Sequence, residues 1–511
     1  MYENSFANIL HFLENRKSLL RFLLKKATFY TLLYEERQQN QPFFSTFAPM
    51  KAKRDNYTFL TEGPIHQVIF TMAIPTIISM LSTSMYNLAD TYFVGSINTQ
   101  SVAAVGVSFA MMSVVQAVGF FYGHGAGNYV SRQLGAKHQE NAEKMAATGV
   151  VLSFLTGLLI AIVGHIFLTS LCTGLGSTPT ILPYTECYLG IILLGAPLMT
   201  TSLTLNNLMR FQGNAIYAMK GIMSGVLLNL ILAPLLILYF EMGITGAAIA
   251  TLISQCFGCL MLLWMTTKGQ NIRIRLRNFS PTKGYLKEIV FGGTPSLSRQ
   301  GMGSISTLML NVAAGVYGDA AIAGMSIVTR ICFFTYAVVI GLGQGFQPLC
   351  GFCYGAKLYA RVRDAFYFCI KCGTIFLCIC AIIGFVFAEN IVELFRSDPD
   401  VVSVGAMALK WQVISFPLVT TIVLTNMLMQ TIRKPVRANL VAAARSGLFF
   451  IPLIFILPHF FGLLGVEMCQ AWADVCSFSL AVPIAWSAFR DMRRMKAMER
   501  AGERAGEKCE R

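Results

Sequence analysis

The chain repeats itself. Shifted by 220 positions, Pro75 falls on Pro295, Gly95 on Gly315, Ala103 on Ala323, and Gly123 and Gly125 on Gly343 and Gly345. The triplet Gly135-Ala136-Lys137 falls on Gly355-Ala356-Lys357. Pro197-Leu198, Thr200-Thr201 and Asn206 fall on Pro417-Leu418, Thr420-Thr421 and Asn426. One constant offset over most of each half restricts the fold to two copies of a single unit.

Hydropathy says what the unit is. Hydrophobic residues make up 55% of the 511 and charged residues 13%, whereas soluble domains run at roughly 45–50% and about 25%. Between residues 68 and 488 about twelve apolar runs follow one another, 145–168 being one. Each is long enough to cross about 30 Å of hydrocarbon. A cleaved signal would supply one such run. The expected fold is therefore all-α and polytopic, with twelve transmembrane helices in two six-helix lobes. Six is even, so both lobes begin on the same side and the axis relating them runs along the membrane normal.

The net charge of +15 is distributed as topology, not as a nucleic-acid surface. Arg132, Lys137 and Lys144 follow the second run, Arg210 and Lys220 the fourth, and Lys268, Arg273, Arg275, Arg277, Lys283 and Lys287 the sixth. Lys357, Arg361 and Arg363 follow the eighth, Arg433, Lys434 and Arg437 the tenth, and Arg490, Arg493, Arg494 and Lys496 the twelfth. The odd connections hold almost none; Arg396 is the exception. Cytoplasmic loops collect Lys and Arg, which places both termini in the cytoplasm of a multi-pass protein of the cell (inner) membrane. The expected domains are an N-lobe over 61–267, a basic linker over 268–287, a C-lobe over 288–490 and a charged tail over 491–511. Residues 1–60 form an N-terminal extension, read either as an interfacial amphipathic helix or as sequence upstream of a true start at Met50 with few contacts to the core.

Two patterns invite other chemistry. YGHGAGNYVSRQLGAK, at 122–137, resembles a phosphate cradle, but its glycines lie inside an apolar run rather than between a strand and a helix, and Gly-Lys-Ser/Thr is absent. That context does not suit a nucleotide. Glycine in a membrane helix lets a neighbouring helix come close. Cys256/Cys259, Cys350/Cys353 and Cys369/Cys372 are CxxC pairs without nearby paired histidines, so small apolar filler is preferred to a metal or redox site. HExxH and GxSxG are absent, and no enzyme is expected.

Several stretches carry a family likeness: AIPTIISMLSTSMYNLADTYFVG, SVAAVGVS, LMRFQGNAIYAMK, GITGAAIATLISQ, GDAAIAGMSIVTRI, GLGQGFQPLCGFCYGAK with RVRDAF, and FFIPLIFILP. In order and spacing over about 60–490 the chain resembles the multidrug and toxic compound extrusion (MATE) family, prokaryotic branch. The resemblance implies a secondary active efflux transporter that exchanges H⁺ or Na⁺ for amphipathic organic cations by alternating access, with no cofactor. Its partners would be small-molecule substrates and the bilayer, with no nucleic acid, and it would act as a monomer. The resemblance places the cation-coupling site at Asp90 and Tyr86 of the first span, Asn229 of the fifth and Thr251 of the sixth. Ala233 stands where the family often has a second acid, and residues 289–318 contain no acid. A lipid-linked precursor or polysaccharide flippase of the same two-lobed superfamily is the alternative.

Asp90 also has a physical case, because an acid in an apolar span costs about 2.5–3.5 kcal/mol at the bilayer centre and normally needs a polar cavity or a partner. The other reading is an interfacial acid. Asn229 and Thr251 read equally as helix-to-helix hydrogen bonds. The candidate substrate cavity comprises Asn206, Asn207, Arg299, Gln300 and Asn311. Arg299 is expected to form a structural ion pair with Glu467 or Asp474 more readily than to touch substrate. Pro75, Pro295, Pro197 and Pro417 are expected to break their helices at matched places and to bend them during alternation, against a reading as fixed kinks.

Overall fold

The structure is a computed structural model that describes residues 55–509 except Ser96 and Ser397; the side chains of 87–92, Thr99 and 499–509 are also outside the described set. The expectations for residues 1–49 and for a start at Met50 lie outside the described residues. Among those described there is no strand. The long helices are α1 (Ile65–Gly95), α2 (Thr99–Gly135), α3 (Gln139–Ile166), α4 (Leu182–Leu194 with Ala196–Phe211), α5 (Ala215–Pro234 and a π-turn Leu235–Tyr239) and α6 (Gly243–Thr266). The second half holds α7 (Lys283–Gly315), α8 (Asp319–Gly355), α9 (Tyr359–Val386), α10 (Pro399–Thr431), α11 (Pro435–Ala443, a π-turn Ala444–Leu448 and Phe450–Phe461) and α12 (Leu463–Cys509).

Ten of these are long and apolar enough to cross a membrane, and the two segments of α4 make an eleventh. The one left of the twelve is α7, the seventh by position. It has 33 residues but carries Thr294, Ser296, Ser298, Arg299, Gln300, Ser304, Ser306, Thr307 and Asn311. A helix that polar has to turn much of its surface away from lipid.

The 220-residue repeat reappears as geometry. The Asn206 amide donates to the Ala218 carbonyl at 3.0 Å, and the Asn426 amide to the Ala438 carbonyl at 2.8 Å. Each bond ties the end of one helix to the start of the next. Gly164 lies against Leu193 as Gly384 lies against Val413. The Gly-Ala-Lys triplets end α2 and α8 identically: Lys137 and Lys357 adopt φ of 63° and 61°, the left-handed conformation that closes a helix. The glycine two residues earlier serves another purpose. A Cβ on Gly135 would lie 2.2 Å from the Phe352 carbonyl oxygen, and one on Gly355 would lie 2.1 Å from the Arg132 carbonyl oxygen.

Those contacts join the two halves. α2 packs on α7 and α8 on α1. A Cβ on Gly125 would lie 2.4 Å from the Ile289 carbonyl oxygen, and one on Gly345 would lie 2.7 Å from the Ala73 backbone. At the axis, repeat-equivalent residues face each other: a Cβ on Gly351 would lie 2.0 Å from Ser131 Oγ. These close approaches cluster toward the end that carries the basic connections.

The prolines do not behave alike. α4 is bent by 50° between its two segments, at Gly195 and just before Pro197. Pro75, Pro295 and Pro417 instead lie inside continuous helices, which corrects the expectation of matched breaks. The reason is local. Where the first half reads Gly195-Ala196-Pro197, the second reads Ser415-Phe416-Pro417, so the flexible glycine that lets the chain break beside proline is missing.

Candidate functional site

Three expected coupling residues converge. Thr251 on α6 is buried, with its hydroxyl 3.3 Å from Tyr86 Oη of α1 and 3.3 Å from the Asn229 amide of α5. Tyr86 makes further contacts. Asp90 stands one turn beyond Tyr86 on α1; its side chain lies outside the described residues. Ala233 is buried among Val94, Ala104, Tyr188 and other apolar groups, so that place supplies no ligand. The cluster offers neutral oxygens from three helices, a donor set suited to a hard cation such as Na⁺ or to relaying a proton.

A second polar layer lies where the halves meet. The Asn207 amide donates to the Leu203 carbonyl at 2.6 Å, and its oxygen accepts from the Arg210 guanidinium. Arg210 reaches across to the other half and donates to Gln344 Oε1 at 2.7 Å. Arg210 and Gln344 are both buried. His124, fully buried on α2, contacts the Phe120 carbonyl through Nδ1 at 3.1 Å and the Phe211 ring edge-on at 5.9 Å. Arg299 on α7 is half-buried. Gln300 and Asn311 are half-buried on α7, while Asn206 is taken up by its bond to Ala218.

Nearer the basic end the halves are bolted together by charge. Arg132 donates to Glu288 Oε2 at 2.7 Å and to the Thr431 carbonyl at 2.8 Å. Arg433 meets the other Glu288 oxygen at 2.5 Å, and the Thr431 hydroxyl donates to Asn128 Oδ1 at 2.8 Å. By their place in the sequence Arg132 and Arg210 are expected to be loop cations that follow a span. Both in fact lie in helices at the junction, and the run of glycines on α2 was the available signal that another helix comes close there.

Arg299 does not pair with Asp474. That carboxylate is fully buried and already engaged: Arg445 Nε lies 2.7 Å away, the Ser415 hydroxyl 2.9 Å and the Gln470 amide 2.9 Å. Arg445 also covers the Tyr336 ring at 4.2 Å. The correction has a physical cause. Arg445 sits in the π-turn of α11, which packs against α12 and so supplies the counter-charge of Asp474. An arginine within an apolar span, followed by an acid in the next one, is the sequence signal for this pair.

Comparison with known proteins agrees with this architecture. The MatE family pattern matches residues 75–235 and again 295–456. The multidrug export protein MepA of Staphylococcus haemolyticus is 28% identical over 438 residues, which cover 85% of this chain and 96% of that protein. MepA of Staphylococcus aureus is 27% identical over 417 residues, covering 81% and 92%. A solved outward-facing multidrug resistance MATE transporter of the MOP superfamily superimposes with a TM-score of 0.81 at 24% identity, over 87% of this chain and 100% of that one. With the family pattern matched once in each half and the repeat visible in the packing, the chain belongs to the MATE family of efflux transporters.

Proposed function

We propose that this protein is a secondary antiporter that expels amphipathic organic compounds with a cationic centre in exchange for H⁺ or Na⁺. The observation that carries this reading is the convergence of Tyr86 and Asn229 on the Thr251 hydroxyl, one helical turn from the acid at Asp90. An entering ion changes the charge between α1, α5 and α6, and α1 is also a helix that contacts the other half, through Ala73 and Ile77. Charge at the site is thereby coupled to the junction between the halves. The basic end faces the cytoplasm, and with the junction closed there the cleft opens outward in the cell membrane. Bending at Pro75 and Pro295 accompanies the exchange of states, and the side chains of α7, including Gln300 and Asn311, line the path.

The test is transport of a fluorescent organic cation in proteoliposomes, with proton and Na⁺ gradients imposed separately. One gradient drives uptake in the unsubstituted protein, and Asp90→Asn abolishes that dependence. Equal gradient-driven transport by Asp90→Asn sinks the coupling assignment.

A further inference from the structure

We propose that residues 55–63 form a clasp across the basic ends of the two halves, and that it lets go of the second half each time that end opens. The inference rests on the efflux reading and adds to it what holds the resting state.

The clasp is a short helix, Asn56–Glu62, ahead of α1. Seven residues are too few to hold a helix unaided, so its shape depends on what it docks against. One side is fixed to the first half. The Asn56 side-chain amide donates to the Gln212 carbonyl at the end of α4 at 3.0 Å, and the Asn56 backbone N–H donates to Gln270 Oε1 beyond α6 at 2.9 Å. Lys137, at the end of α2, lies 4.9 Å from the centre of the Tyr57 ring. The other side is fixed to the second half. Leu60 is fully buried in an apolar cluster with Phe346, Leu349, Phe352 and Cys353 of α8. Its carbonyl accepts from Arg361 Nε of α9 at 3.2 Å and from Cys353 Sγ at 3.6 Å, and the Gly63 carbonyl accepts from the same guanidinium. Both sets of bonds cannot persist once the ends separate. The clasp is continuous with α1 and stays with the first half, so the bonds to Arg361 are the ones that yield.

The repeat explains why a clasp is needed here. Val68, Phe352 and Gly213 are the repeat-equivalents of Glu288, Arg132 and Arg433. On one side of the axis those three charges join the halves. On the other, Val68 and Phe352 are buried in the cluster that holds Leu60, and the third member has no side chain. Leu60 fills that room: a Cβ on Gly213 would lie 3.0 Å from Leu60 Cδ1. One side is closed by ion pairs and the other by a plug brought in from outside the repeat.

Alkylation of Cys353 by N-ethylmaleimide in proteoliposomes, resolved by residue with mass spectrometry, reports the clasp, because a buried thiol reacts only when uncovered. Cys469 is equally buried, donates to a carbonyl in the same way at 3.7 Å, and reports general unfolding. In the unsubstituted protein Cys353 is expected to react at least about threefold faster while an organic cation dye is being transported than at rest. Equal rates overturn the clasp. Arg361→Gln and Leu60→Ala each raise Cys353 reactivity at least about tenfold with Cys469 unchanged. Each also lowers the KM for dye offered at the basic side at least about threefold, since a larger share of the protein is open there. A merely structural helix would cost turnover or thermal stability without lowering KM, and that outcome overturns the clasp too. A variant that also exposes Cys469 has unfolded, and the comparison within the unsubstituted protein then decides. Dye movement that ignores both ion gradients, with the KM shift intact, sinks the antiporter reading alone. Gradient-driven transport with Cys353 protected throughout sinks the clasp alone.

Discussion

Gly225 and Arg445 hold the same address in the two halves, and so do Ser254 and Asp474. In the first half the pair is a close backbone approach, with a Cβ on Gly225 falling 2.9 Å from the Ser254 carbonyl oxygen. In the second it is an ion pair at 2.7 Å. The two lobes differ in kind at this contact. Asp474→Ala leaves Arg445 without its counter-charge and costs about 3–5 kcal/mol, which appears as a lower thermal unfolding midpoint of the purified protein. Arg445→Met combined with Asp474→Leu recovers most of that loss, because paired removal also removes the burial penalty. If the double variant melts as low as the single one, the pair has a role other than charge compensation. Residue identities alone could mark both groups as buried charges, but not their partnership. Which arginine faces which acid depends on helix rotation, and a π-turn within α11 resets that rotation locally.

Element by element, the sequence is most legible where one residue type answers one steric demand. The glycines of α2 and α8 announced helix contact, and the contact is there. Gly125→Leu drives a side chain into the Ile289 backbone and forces α2 and α7 apart. The expected outcome is amide hydrogen exchange at least about tenfold faster over residues 121–131 and 288–296, with helices α9 and α12 unchanged. Unaltered protection would mean that the junction tolerates the extra volume. α7 was harder to read. Its polarity lowers the apolar signal that counts spans, and the same polarity marks a helix that turns part of its surface away from lipid. The proline expectation failed for the complementary reason: proline alone kinks a helix, and the break in α4 also needed Gly195.

At the scale of the whole molecule, a small set of charges ties the two halves together at the end that carries the basic connections. Glu288 bridges Arg132 of one half to Arg433 of the other. Glu288→Gln removes charge assistance worth about 1.5–3 kcal/mol, enough to raise the opened population roughly tenfold or more. Spin labels introduced by Lys220→Cys and Arg490→Cys, both exposed, are expected to gain a longer-distance component in that variant. An unchanged distance distribution would show that the bridge contributes nothing to closure. Of the global fold, the two-lobe plan and its parallel repeat were readable in advance, because a fixed offset and apolar length are properties of the chain itself. The junction chemistry was not, since it depends on residues about 150 to 300 positions apart, Arg132 with Glu288 and Asn128 with Thr431.

Where Ser131 meets Gly351, position 131 confronts its own counterpart. A symmetric pair of separate half-length chains would place the same residue on both sides, and only glycine on both sides would fit. Joining the halves into one polypeptide frees each side to differ, so a hydroxyl can stand at the centre provided its opposite number has no side chain. Fusion thus permits chemistry on the axis that no homodimer of this packing could carry.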